Sequence, residues 1–387
     1  MKPYLSLKIT EFLTRSNALL QQLQETTPPR EYLAVKRILE QTIQQAIRKV
    51  EPLTKAQEIS EDFERGALDR VAEATVIFND ACFYYARYCS SLFRPSSQIA
   101  AVRLVNGTVA KIPALSNTLN GKILLDPDEQ FAAWLPRRNL LEPLALICVL
   151  ASESLSLLSF PILGHEIGHL LVYLHGNALL ADFRQVLNQF VQTRYRQVRG
   201  QSSQAIQKET EYLRRLKTLW SRWMVEITCD ITGLHLFGAY FIRSMQQIFI
   251  GGGNPFQITE SHPPHHLRVQ IMLNLLQETE GWTDEISSIR LNWQALIHNY
   301  SNPGDYDIYA ISEVTETCVK GILSGLEQLG LLLYTPESDL DEKVDRGTGL
   351  SLPDAVTIVW QEFLQTSLVP LQLEKKLIET LTRVKLD

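Results

Sequence analysis

The sequence predicts a mainly α protein with a small β-sheet, of the α+β class, and three observations carry that expectation. Apolar residues recur at three- and four-residue spacings over most of the chain, short β-type runs are confined to the stretch from Gln98 to Leu125, and helical patterning resumes after it. With 387 residues, 45% of them apolar and 21% charged, the chain has the composition of a globular protein and enough length for two domains or one large one.

In chain order, the spacing from Leu7 to Phe93, broken at Pro28-Pro29 and around Pro52, predicts three helices packed as a bundle, an N-terminal region of residues 1–95. Between Gln98 and Leu125 the runs AAVRLV and TVAKIPAL flank Asn106-Gly107, a strong signal for a tight hairpin, and Lys122 to Leu125 offers a further strand. Helical patterning from Asp128 to Leu276, interrupted near Gly200 and at Gly251-Gly252-Gly253-Asn254-Pro255, completes a core of residues 96–280. A C-terminal helical extension, 281–387, follows, with helices near Tyr306 to Leu333, Leu352 to Gln365 and Leu371 to Arg383 and a mobile acidic loop, TPESDLDEKVDRGTG, between the first two.

Composition bounds the partners. The net charge of -6 argues against nucleic acid, which needs a basic face. Five cysteines, an odd number without a CxxC pair, and an N-terminus interrupted by polar and charged residues lead to the expectation of a cytoplasmic protein. Pro143 to Leu163 has the length of a membrane span, but Glu153 near its middle and Pro161 favour a buried helix, so no membrane partner is expected.

The chemistry lies in three motifs. PILGHEIGHLLVYLHG contains His165-Glu166-Ile167-Gly168-His169, an HExxH sequence among apolar residues. On a helix the two histidines share a face, so both imidazoles can reach one metal ion while Glu166 stands ready as base for a water. In LWSRWMVEITCDITGLHLFGAY, Glu226 can complete a His2Glu zinc site, and Asp230, four residues on, can accept a hydrogen bond from a zinc histidine and hold its ring. Trp223, Met224, Ile227 and Leu234 around them argue for burial. Cys229, between Glu226 and Asp230, could face the metal, but its offset of one residue, about 100° from Asp230, makes a packed thiol the expectation. The third motif, His262-Pro263-Pro264-His265-His266-Leu267-Arg268, follows the glycine-rich break, with His265 and His266 expected as ordinary loop residues.

The order HExxH, ExxxD, HPPxxxR over Ile162 to Met272 resembles the M48 family of gluzincin metallopeptidases. The resemblance implies a zincin-like metallopeptidase core flanked by the two helical regions. It also implies Zn2+ held by His165, His169 and Glu226, with Glu166 as general base. His262 would then polarise the scissile carbonyl or stabilise the oxyanion, or would simply sit in a turn that the prolines shape to start a helix. Arg268 would bind either Asp230 or a substrate carbonyl. Gluzincins hold substrate backbone on an edge strand, for which Lys111 to Leu115 is the candidate, and GGGNPFQITE is a candidate lid.

The expected function is a zinc endopeptidase acting on protein or peptide substrates, with the N-terminal helical region as the place for a regulatory protein partner. A zinc-containing interaction protein with a latent site is the alternative, against which Glu166 speaks, because a structural site needs no base. A membrane-attached peptidase using Pro143 to Leu163 is the third reading.

Overall fold

The computed structural model describes residues 3–55, 61–92, 96–128, 132–134, 140, 142–150, 156–337, 340–346 and 349–383. The chain divides into two compact units, one of residues 1–110 with 116–151 and one of residues 111–115 with 152–387.

In the first unit, α1 (Pro3–Glu25), α2 (Leu33–Val50) and α3 (Glu61–Leu92) pack as the expected three helices. Proline punctuates them: a non-helical link carries Pro28 and Pro29, and Pro52 lies in a short 3-10 turn that ends the run of α2. The α2 face that faces inward repeats at three- and four-residue steps through Val35, Ile38, Leu39, Thr42, Ile43, Ala46 and Val50. Each large apolar side chain so buried contributes roughly 1.5–3 kcal/mol.

The hairpin expected at Asn106-Gly107 is not formed; residues 96–110 are the helix α4 (Ser96–Ala110). Ala101, Val102, Val105 and Val109 are buried at helical spacing, and Asn106 and Thr108 donate to the carbonyls of Val102 and Leu104, one turn back, at 3.0 and 2.9 Å. A buried stripe of period 3.6 outweighs the local turn preference of Asn-Gly, whose glycine costs a helix only about 1 kcal/mol. The edge strand expected from Lys111 to Leu115 is likewise absent, because α5 (Pro113–Leu119) begins there.

Among the described residues the sheet has three strands, in the order β1-β3-β2, from β1 (Ile123–Asp128), β2 (Ala132–Trp134) and β3 (Ala145–Leu150). β1 runs parallel to β3 and β2 antiparallel to it. β1 is the strand anticipated at Lys122 to Leu125; β2 and β3 replace part of the helix expected from Asp128 onward. Pro143 to Leu163 is therefore not one buried helix: it holds β3, then turns from Leu157 to Pro161, and only from Ile162 a helix. A short apolar run reads alike in a buried strand and a buried helix, which is why the pattern misled. Glu153 lies outside the described residues. Among the described residues no helix is long and apolar enough to cross a membrane.

The second unit is helical. It contains α6 (Ile162–Leu179), α7 (Ala181–Val198), α8 (Ser203–Phe237), α9 (Ala239–Ile250), α10 (His265–Gln277), α11 (Thr283–Ile297), α12 (Asp305–Tyr309), α13 (Ser312–Gln328), α14 (Leu340–Arg346), α15 (Leu352–Thr366) and α16 (Leu371–Arg383). Ser202 in the polar break caps α8 through Ala205 N–H. Gly238 separates α8 from α9 at φ 56°, where a Cβ would lie 2.2 Å from the Trp282 ring. The acidic segment from Thr335 to Gly349, expected as a mobile loop, carries α14 and buries Leu340; residues 338, 339, 347 and 348 lie outside the described set. α6 and α8 form the centre of this unit, and their approach positions the chemistry.

Candidate metal centre

α6 and α8 come together through small residues. A Cβ on Gly168 would stand 2.5 Å from the Cys229 Cα, and one on Gly164 would stand 2.8 Å from the Gly233 Cα. Real side-chain contacts are not that short, so the backbones touch because both α6 positions are glycine. Gly164 and Gly168 are four apart on one helix, and Cys229 and Gly233 four apart on the other. That matched small-residue spacing was a legible signal that the motif reading passed over.

The close approach faces the two acids of α8 toward the two histidines of α6. His165 Nε2 lies 3.3 Å from Glu226 Oε2, and His169 Nε2 lies 3.8 Å from Glu226 Oε1. The two imidazoles meet edge to face, with centroids 4.9 Å apart. His165, Glu166 and Glu226 are buried, and His169 is half-buried. Glu226 is 8% exposed, and its Oε2 has no hydrogen-bond partner of proper geometry. A buried, unsatisfied carboxylate oxygen beside two imidazole nitrogens is an arrangement that a divalent cation would satisfy.

Behind this layer a second one is fully paired. His165 Nδ1 is 2.9 Å from Asp230 Oδ1, and Arg268 grips the same carboxylate through Nε to Oδ2 and Nη2 to Oδ1, both 2.7 Å. Arg268 thus binds Asp230, resolving the alternative left open by the motif. Burial works against the Asp230 charge, but the Arg268 guanidinium outweighs it and keeps the carboxyl well below the usual carboxylate range. An ionised Asp230 can only accept, so His165 carries its proton on Nδ1 and turns Nε2 to the site. Burial also disfavours a charged His165, yet the hydrogen bond to Asp230 and the nearby Glu226 carboxylate raise it above its ordinary value. Glu226 is lowered in turn: burial opposes its charge, and the adjacent His165 overcomes that. His169 goes the other way, down to about 4, through burial first and the neighbouring His165 charge second.

Cys229 is fully buried, as expected, and burial pushes its thiol up. Its position also places the sulfur, one His165 nitrogen and one His169 nitrogen within 4.8 Å of one another. The sequence weighed a thiol facing the metal against a packed one and favoured the packed one; the thiol is both packed and close to the two histidines.

His262 stands at the exposed rim, its Nε2 3.5 Å from Glu226 Oε2 and its Nδ1 2.9 Å from Ser261 Oγ. Pro264 immediately precedes α10, so the prolines do set a helix start while also delivering His262 to the site. The preceding segment, expected as a lid, is tied down. Trp223 Nε1 donates to Thr259 O at 3.0 Å, exposed Arg222 pairs with Glu260 at 2.8 Å, and Asn254 donates to Ser301 O at 3.2 Å. His265 and His266 are not loop residues; they open α10. His265 stacks on Phe249 with centroids 4.1 Å apart, and Trp293 Nε1 donates to His266 Nδ1 at 3.1 Å. Ala114 O accepts from His175 Nε2 at 3.0 Å, which fastens the 111–115 segment to the far part of α6.

Paired helix histidines, a facing buried acid and a carboxylate that orients one imidazole form an arrangement on two helices that could hold a metal ion. Residues 158–275, which span all three motifs, match the sequence model of Peptidase family M48, so this segment is M48-like and supports a metallopeptidase. No curated protein and no solved structure gives a significant match to the chain.

Proposed function

We propose that the protein is a zinc-dependent endopeptidase of the gluzincin type, with His165, His169 and Glu226 as metal ligands and Glu166 as general base. The observation that carries this reading is the convergence of Glu226, through both its oxygens, on the Nε2 atoms of the HExxH histidines. Two nitrogens and a carboxylate oxygen, with a position left open, match a catalytic zinc site.

Zinc, when bound, supplies the Lewis acidity that makes a water nucleophilic near neutral pH. Glu166, buried in the first turns of α6, takes the proton of the attacking water and passes it to the leaving amine. His262, at the rim, donates from Nε2 to the oxyanion of the tetrahedral intermediate. Asp230 keeps His165 in the tautomer that presents Nε2, and Arg268 keeps Asp230 ionised. The pinned segment before His262 fixes where that histidine stands.

The test is to incubate zinc-loaded protein with a complex peptide mixture and read new termini by mass spectrometry, beside a Glu166→Gln variant. New termini from the wild type alone support the endopeptidase. No cleavage by either, with zinc measured in both, refutes it and leaves a zinc scaffold whose partner would be sought on the N-terminal helices.

A further inference from the structure

We propose that Cys229 is a fourth protein ligand of the metal centre, so that the bound ion can adopt a closed coordination by His165, His169, Glu226 and the Cys229 sulfur. The proposal rests on the metal-centre reading above and goes beyond it, since that reading leaves one position for water.

Two observations carry it. The Cys229 sulfur lies within 4.8 Å of a nitrogen from each histidine. The Glu226 carboxylate, three residues earlier on the same helix and so on the same face, is more than nine-tenths buried, with an oxygen that lacks a hydrogen-bond partner and faces the same histidines. In a tetrahedral zinc site, Zn–S near 2.3 Å and Zn–N near 2.0–2.1 Å put sulfur and nitrogen about 3.6 Å apart. The gap to close between the sulfur and either histidine nitrogen is thus about 1.2 Å at most, within reach of side-chain rotation.

Gly168 explains why the sulfur can be there at all. Cys229 packs its Cα against the α6 backbone at Gly168, between the two histidines in sequence, and its sulfur lies within 4.8 Å of a nitrogen of each. Binding converts the thiol to thiolate, the proton leaving to solvent as the metal–sulfur bond forms. A closed set of four protein ligands is the pattern of a structural zinc site, and a thiolate among them favours thiophilic ions. In this form the centre has no place for a water; cleavage then requires the sulfur to leave.

The experiment is to add Co2+ to metal-free protein and record its absorption spectrum, for wild type and for Cys229→Ser. The wild type is expected to show visible bands of four-coordinate cobalt and a near-ultraviolet thiolate-to-cobalt band, and the variant to keep the visible bands and lose the thiolate band. X-ray absorption of zinc-loaded wild type, which needs no variant, is expected to show one sulfur neighbour at about 2.3 Å. Visible bands without a thiolate band in the wild type, or a thiolate band that survives Cys229→Ser, would overturn the sulfur ligand while leaving the metal centre intact. Failure of both proteins to take up cobalt or zinc would overturn the centre itself.

Discussion

Gly168→Ala is the sharpest probe of how the two helices make the site. The added methyl would stand 2.5 Å from the Cys229 Cα, a backbone atom that cannot turn aside. Ordinary carbon contacts need about 3.5–4.0 Å, so α6 and α8 must separate locally by about 1–1.5 Å. Overpacking of this kind costs about 1–3 kcal/mol, and melting falls by roughly 2–4 °C for each kcal/mol in a unit of this size. The protein is therefore expected to fold. Spreading the two helices pulls Glu226 and Asp230 away from the histidines, so the variant is expected to lose about 10–100-fold in zinc affinity, as when a ligand loses its supporting hydrogen bond. Isothermal titration with zinc, beside thermal melts, measures both effects. Gly66→Ala is the control, because its Cβ meets nothing within 4 Å on the exposed side of α3, and it is expected to stabilise by up to about 1 kcal/mol. Wild-type zinc affinity in Gly168→Ala would refute the argument that close backbone approach assembles the centre.

Further expectations follow from the same geometry. Glu166→Gln should retain zinc and lose about 10²–10⁴-fold in peptide cleavage, as loss of a general base does; cleavage at the wild-type rate would exclude Glu166 as that base. Removal of the metal by a chelator should abolish cleavage and zinc should restore it; activity indifferent to chelation would rule out a metallopeptidase. Asp230→Asn strands the buried Arg268 guanidinium and should destabilise by about 3–5 kcal/mol, measured by chemical denaturation. Combining Asp230→Leu with Arg268→Met should recover much of that stability but not the zinc affinity, because His165 still lacks its acceptor. His265 is lowered by burial, and then by the Arg268 charge, from 6.5 to about 4, so the unfolded chain takes up its proton at higher pH than the folded one. Its contribution to stability is fully present above pH 6.5 and drains away as pH falls toward 4, and His265→Phe should flatten that part of the pH dependence in denaturation experiments. An unchanged pH dependence in the variant would contradict the assignment.

Local chemistry was legible in the sequence wherever one helical turn decides it. HExxH and ExxxD place His165 with His169, and Glu226 with Asp230, on single helix faces whatever the rest of the chain does, because the period of 3.6 alone brings positions four apart together. The three N-terminal helices were legible for the same reason, with prolines at their ends. Where a short apolar run had to be assigned, the pattern was ambiguous: Ala145 to Leu150 became a strand and Ala101 to Val109 a helix, because a run of so few residues with so few polar breaks fits either period. Asn106-Gly107 carried a strong local turn signal and was overruled by the apolar stripe around it.

Tertiary structure alone decided which of those faces meet and at what distance. That Arg268 serves Asp230, that His262 stands at the rim, and that His265 stacks on Phe249 depend on how α10 and the pinned segment before it lie against α8 and α9. Cys229 is the clearest case. Spacing along α8 sets its angle relative to Asp230, but its nearness to both histidines comes from the contact with Gly168 across the helix pair, a distance between elements that no single-helix periodicity contains.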